Sequence, residues 1–429
     1  MSREMKYSGI PWIGEIPNGW STIQAKFYCK SVYAGGTPDS NNMDYWDGDI
    51  PWLPSGACQD CVVKEAKKFI TQAGFDNSST KLIPPYTTIM AMTGATCGNV
   101  GYITFEACAN QSVVAYIKRS NLFSKYLFYA LLSAREYILT YQTGGAQAGI
   151  NVQNCKNFIV PYVPIAEQQK IASFLDGKCA EIDEMIALQE KIVEELKAYK
   201  QSVITEAVTK GLNPDVPMKD SGIEWIGEIP EHWSIDKIIR SFGLIGSGTT
   251  PKSTDEDNFN GNIRWIQSGD INGGVMTECK NRISEKTLHT TSALKIYNPP
   301  FIIIAMYGAS VGNTSISMID GCVNQACCVL SESHLNLEYS FNVIKSCKDF
   351  WIRKAVGGGQ PNISQDTIKS TWIPIPPKEE QKQIASYLNT KCTEIDNLIS
   401  IKLSKIDSLK EYKKSIIYEY VTGKKEVTE

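Results

Sequence analysis

Three histidines, His232, His289 and His334, are all the chain has for imidazole chemistry. None stands in a recognisable triad, so acid–base or nucleophilic catalysis through histidine has little to work with. Cys58-x-x-Cys61 has the spacing of half a zinc site. A zinc site needs four ligands, and no second such pair occurs, so no metal is expected. Asn298-Pro299-Pro300-Phe301 has the pattern with which amino-methyltransferases hold the amino group of a target base. The matching segment of the first half, Ile83-Pro84-Pro85-Tyr86, lacks the Asn, and no Gly-rich cofactor loop after a strand accompanies either. A Pro-Pro-aromatic segment present twice reads as a turn. No Walker-type phosphate loop occurs either. No catalytic residue is expected. What remains is hydrogen-bonding chemistry from Lys, Arg, Asn, Gln, Thr and Ser, set among Gly- and Pro-rich turns.

The elements that position these groups come twice. Lys6-Tyr-Ser-Gly-Ile-Pro-Trp-Ile-Gly-Glu-Ile-Pro-Asn-Gly-Trp20 returns, 213 residues later, as Lys219-Asp-Ser-Gly-Ile-Glu-Trp-Ile-Gly-Glu-Ile-Pro-Glu-His-Trp233. Thr37-Pro38 matches Thr250-Pro251, and Thr93-Gly94-Ala95 falls where Tyr307-Gly308-Ala309 does. Asn110-Gln111 matches Asn324-Gln325, and Glu167-Gln168 matches Glu380-Gln381. A period of this size is a domain, well beyond the roughly 20–50 residues of a solenoid unit. Short apolar runs at Thr88–Met92, Gly101–Thr104 and Val113–Ile117 read as strands between turn residues. Residues 122–141 and 335–356 read as helices, so each copy is expected to be a mixed α+β domain with a twisted sheet.

Each copy ends in a long helix that starts after a proline with acids in its first turn, at Pro164 and Pro377. Apolar residues follow at heptad spacing: Ile182, Met185, Ile192, Leu196, Tyr199 and Val203, interrupted by Gln189. The second helix has Ile395, Leu398, Leu409, Tyr412 and Ile416, interrupted by Lys402 and Lys405. Ile186, Val193, Ile399 and Ile406 widen the stripe. A helix of about 40 residues runs roughly 60 Å. Its stripe wants a partner helix, and the expected partner is the other copy.

Bulk properties narrow the function. Net charge is -3. Residues 1–160 carry 13 Lys/Arg and 11 Asp/Glu, a balance of +2, and residues 211–373 carry 14 and 17, a balance of -3. That excludes a purely electrostatic coat for nucleic acid and leaves room only for local patches. The polar start of the chain, the absence of an apolar run long enough to span a bilayer, and 13 irregularly placed cysteines point to a cytoplasmic protein with reduced thiols.

Over nearly its full length the chain resembles the specificity subunits of type I restriction–modification systems. The resemblance rests on several motifs in one order, met twice, with Tyr307 in place of the first residue of Thr93-Gly94-Ala95 in the second copy. They are Gly-Glu-Ile-Pro-x-x-Trp, Thr93-Gly94-Ala95 with Asn110-Gln111, and the helix starts running from Pro161 through Gln168 to Leu175 and from Pro374 through Gln381 to Leu388. Lys197-x-Tyr199-Lys200 and Lys410-x-Tyr412-Lys413, ending in Val208-Thr209 and Val421-Thr422, complete it. It implies target-recognition domains at 1–163 and 211–376, spacer helices at 164–210 and 377–423 packed antiparallel, and a tail at 424–429. Such a tandem arrangement is pseudo-twofold. It also implies double-stranded DNA as ligand, two methylation subunits as partners, and restriction subunits in the full complex. S-adenosylmethionine would sit in the methylation subunit, and this chain would hold no cofactor.

Direct reading of bases calls for Arg, Lys, Asn and Gln on loops or strands. Positioning on phosphates calls for Lys, Arg, hydroxyls and free N–H groups. The candidates in the first copy are Lys64, Lys67, Lys68, Thr93, Thr96, Asn99 and Gln147. In the second they are Arg264, Gln267, Lys280, Arg282, Tyr307, Ser310 and Gln360. Asn110-Gln111, present in both copies, is expected to hold the fold rather than read a base. The expected function is recognition of an asymmetric two-part DNA sequence. The alternatives are a stand-alone adenine methyltransferase and a coiled-coil adaptor that binds no DNA.

Overall fold

The computed structural model describes residues 3–144, 148–355 and 362–427, so Gln147 and Gln360 lie outside the described residues. The chain divides into two compact units, residues 1–190 with 404–429, and residues 191–403.

In the first unit a five-stranded mixed sheet has the spatial order Ser31–Ala34, Val113–Ile117, Thr87–Ala91, Val100–Ile103, Cys61–Val63. All pairs are antiparallel except the last, which is parallel. Thr87–Ala91 is buried along its whole length because both faces of the sheet are covered. Alternation at period two sorts its side chains. Met90, Val100, Val114 and Tyr116 join the core built with the helix Ser124–Ser133. Ile89, Ala91, Val113 and Ala115 join a second core with Leu53 of the three-stranded sheet Cys108–Ala109, Trp46–Leu53, Lys68–Ile70. The second unit repeats this plan. Its large sheet runs Phe242–Gly246, Cys327–Ser333, Phe301–Ala305, Thr314–Ser317, Val275–Met276. Its small sheet contains Arg282–Ile283, Ile263–Ile266 and Cys322–Val323.

The helices expected over 122–141 and 335–356 are each two helices. They span Ser124–Ser133 and Arg135–Leu139, then Leu337–Ser346 and Lys348–Lys354. The breaks fall at Ala134 and Cys347, both buried, where no Pro or Gly marks them.

The long helices span Ile165–Lys210 and Lys378–Val421. Each belongs partly to one unit and partly to the other. In the first unit their segments run antiparallel: the rings of Phe174 and Tyr420 meet, tilted, with centroids 4.4 Å apart, and Asp183 meets Lys413 at 2.6 Å. In the second unit Lys200 meets Asp396 at 2.6 Å, the same pair displaced by the repeat.

The buried stripe differs from the expected one. It follows Gln168, Ala172, Leu175, Cys179, Ile182, Ile186, Gln189, Val193, Leu196, Lys200, Val203 and Ala207, in alternating steps of four and three. The same positions, displaced by 213, run from Gln381 to Tyr420 in the second helix. Of the residues expected to pair, Ile182, Val203, Ile395 and Ile416 are buried, and Ile192, Leu196 and Leu409 are half-buried. Met185, Tyr199, Leu398 and Tyr412 are exposed instead. From Ile182 the next turn could bring either Met185 or Ile186 inward, and hydrophobicity alone favours Tyr199 over Lys200. The structure buries the aliphatic stem of Lys200 and lets its ammonium reach Asp396.

Candidate nucleic-acid interface

The strand directions gather particular loops at one end of the large sheet in each unit. In the first unit the strands ending at Ala34 and Ala91, and those beginning at Val100 and Val113, all meet there. Three segments follow or precede them, Gly35–Pro38, Thr93–Asn99 and Asn110–Ser112, and Gly149–Ile150 joins them. Met92 binds them together, its N–H donating to Ser112 and its carbonyl accepting from Ile150, at 2.7 and 2.8 Å. Thr93 bridges to Gly149. In the second unit the N–H of Met306 donates to Ala326 at 2.8 Å, its carbonyl accepts from Ile363 at 3.0 Å, and Tyr307 bridges to Asn362.

The expected contact residues divide accordingly. Thr93 precedes and Thr96 ends a one-turn 3-10 segment, Gly94–Thr96, whose Gly94 and Ala95 are exposed at this end. Tyr307 and Ser310 hold the matching places in the second unit, and Tyr307 presents an exposed ring. Asn99 turns inward, its amide donating to the carbonyl of Cys58 at 3.1 Å. Lys64 leaves its strand at the opposite end of the sheet, beyond the Val63–Ile103 pair, and is exposed. Lys67 and Lys68 are exposed, Lys67 just before the small-sheet strand that begins at Lys68, where Lys68 pairs with Trp52. Lys280 is exposed, Gln267 is half-buried, and the Gln267 N–H donates to the Asp270 carboxylate at 2.9 Å. Arg264 is ion-paired with Asp320. Arg282 donates to the carbonyls of Cys279 and Asn281 at 2.6 and 3.0 Å. These two arginines face each other across strands at the place where the first unit has Pro51 and Phe69.

Two basic residues at the loop end were not singled out from the sequence. Arg135 pairs with Asp60 at 2.7 Å, and its side chain lies against Gly98. In the second unit Lys348 takes this place beside Gly312 and donates to Asn313 at 2.8 Å. Burial holds the Lys345 ammonium below its usual range. No periodic signal marks Arg135 or Lys348, because only the break after the first helix turns them toward the loop.

The opening motif and the helix start fasten each domain to its long helix. Trp20 and Trp233 donate to Glu167 and Glu380 at 3.0 and 2.9 Å. Buried Gln168 accepts from the Phe123 N–H at 2.8 Å and donates to Asn121 and Val163 carbonyls at 3.0 and 2.7 Å. Gln381 does the same with Asn336 and Pro376 at 2.8 Å each. Tyr126 and Tyr339, both buried, reach the last turns of the long helices at Val421 and Val208, at 2.9 and 3.4 Å. These motifs are the joints of the frame.

Asn298, Pro299 and Pro300 are exposed, and Phe301 is fully buried in the core beside Tyr297. An aromatic ring in that position has no face to offer a base. Cys58 is buried and Cys61 exposed, and no cluster of three or more His, Cys, Asp or Glu occurs among the described residues.

Residues 17–198 and 230–411 each match the family described as type I restriction modification DNA specificity domain. A putative type I restriction enzyme specificity subunit of Methanocaldococcus jannaschii, MjaX, is 27% identical over 65% of this chain and 62% of its own length. The MjaIX specificity subunit of the same organism is 25% identical over 97% of this chain and 96% of its own. A solved chain from a study of complex assembly and conformational transition in a type I R-M system has a TM-score of 0.71 at 18% identity. It covers 95% of this chain and 98% of that one. At that identity it shows a shared fold. With both halves matched, the chain belongs to the type I restriction modification DNA specificity family and carries two copies of its domain.

Proposed function

We propose that each unit reads one half of a bipartite, asymmetric DNA sequence through the loops gathered at the end of its large sheet. One observation carries this: the frame is the same in both copies while the groups it presents differ. Thr93 stands where Tyr307 does, and Pro51 with Phe69 where Arg264 does with Arg282. Unlike groups on like frames suit unlike half-sites. Selection from random duplexes should return a sequence with two fixed parts separated by unread bases, and a pool without such a pattern would defeat the reading.

The chain acts as a non-catalytic cytoplasmic subunit that places methylation subunits on the DNA, joined by restriction subunits in the full complex. Burial of Phe301 supports the absence of base chemistry here. S-adenosylmethionine belongs to the partner, which extrudes its target base for reaction. Calorimetry of the isolated chain with S-adenosylmethionine should show no heat of binding, and saturable binding would restore the methyltransferase alternative. The exposed Met185, Leu188 and Tyr199 of the first helix recur as Leu398, Ile401 and Tyr412. Each set lies along one helix face. Two equal apolar faces suit two copies of one partner, and we assign them to the methylation subunits.

A further inference from the structure

Thr37 and Gln111 are both exposed, and so are their counterparts Thr250 and Gln325. In each unit the threonine hydroxyl donates to the glutamine side-chain oxygen. Exposed residues drift with little effect on stability. Two copies that differ in so many presented groups have nonetheless kept this exposed pair.

The fold does not account for it. Asn110 and Asn324, the neighbours in the same motif, do structural work. Their side chains accept from the N–H groups of Ser112 and Ala326, at 3.1 Å each, closing a tight turn. The side chains of Gln111 and Gln325 hold no other element among the described residues. With the oxygen taken by threonine, the amide N–H groups of both exposed glutamines have no partner among the described residues.

The approach is nevertheless closely built. A Cβ on Gly35 would stand 1.9 Å from the Ala109 carbonyl oxygen, and one on Gly248 would stand 1.8 Å from that of Val323. Only glycine lets the segment lie so near. Trp52 then donates to the Gly36 carbonyl at 3.0 Å, and Trp265 to that of Thr249 at 3.3 Å. Pro38 and Pro251 are buried behind the pair. Each domain thus holds a neutral donor group rigidly, at the sheet end that carries the loops.

We propose that Gln111 and Gln325, held by Thr37 and Thr250, grip the phosphodiester backbone of each half-site. The inference rests on the DNA-reading function proposed above. A group that reads bases must differ where the half-sites differ, whereas phosphate is the same at every step. Neutral donors also suit a chain whose net charge is -3. Apolar docking faces for protein lie elsewhere, on the long helices.

The test uses the full chain with its co-purifying subunits, on the duplex selected by the unaltered protein. Gln111→Ala and Gln325→Ala should each weaken binding by about 5- to 10-fold, the worth of a lost neutral hydrogen bond or two. The loss should be equal across half-site sequences, and the selected bases should stay the same. The slope of log affinity against log salt should be unchanged, because no cation has been removed. Gln111→Glu keeps the acceptor for Thr37 but faces phosphate with negative charge, so its loss should exceed that of Gln111→Ala. Unchanged affinity, altered base preference, or loss of a protein subunit with DNA affinity intact would each overturn the proposal. If the unaltered protein selects no sequence, the DNA-reading function fails instead.

Discussion

At the residue scale, identity between the copies sorts side chains by task. Buried pairs kept in both, such as Gln168 with Gln381, hold backbone carbonyls and N–H groups at the helix start. The exposed pairs Thr37 with Gln111 and Thr250 with Gln325, kept in both, are the ones we assign to phosphate, and the glycines beside them show how tightly the backbone is placed. Gly35→Ala should destabilise the first unit by roughly 3 kcal/mol, since a methyl cannot fit against the Ala109 carbonyl without displacing backbone. Denaturant unfolding measures this, and an unchanged midpoint would mean that the segment yields freely. The sequence marked Asn99 as a contact candidate, but its amide is spent on Cys58. It did not mark Arg135, because a lone cation after a helical stretch carries no directional signal until the helix breaks at Ala134.

At the element scale, the long helices were legible as helices, while their contact face was legible only in part. Steps of three and four both meet apolar residues from Ile182 onward, so the stripe is ambiguous by one position. The two faces make opposite expectations. Leu175 and Leu388 are fully buried, and Leu388→Ala should cost about 2–5 kcal/mol through lost burial and a residual cavity. Tyr199 is 59% exposed, so Tyr199→Ala should change stability by under about 0.5 kcal/mol. The same variant should reduce co-purification of methylation subunits. Thermal unfolding and pull-down together separate the two faces, and a large loss of stability at Tyr199 would return it to the seam. The ion pair of Asp183 with Lys413 is half exposed, so Asp183→Asn should cost under about 1 kcal/mol.

At the scale of the whole molecule, both helices pass from one compact unit to the other, near Glu190 and Leu403. The seam repeats every seven residues, so adding one heptad to each helix at those points preserves it. Seven residues add about 10 Å of helix, or about three base pairs at ~3.4 Å each. The expected outcome is a longer gap of unread bases with both half-sites unchanged, checked by sequence selection on the lengthened protein. A change in the half-site bases would mean that the loops do not read independently of the helices.

The duplication, the α+β plan of each half, the long helices and the family were all legible along the chain. All of these follow from periodicity and from motifs whose residues lie close together along the chain. Tertiary structure decided which loops share an end of the sheet, which helix face is buried, and which polar groups remain free. Thr37 and Gln111 are 74 residues apart and meet only because strand order and a side-chain-free backbone bring them together. Such meetings depend on how strands are ordered and how closely backbones approach, and neither leaves a spacing to be read along the chain.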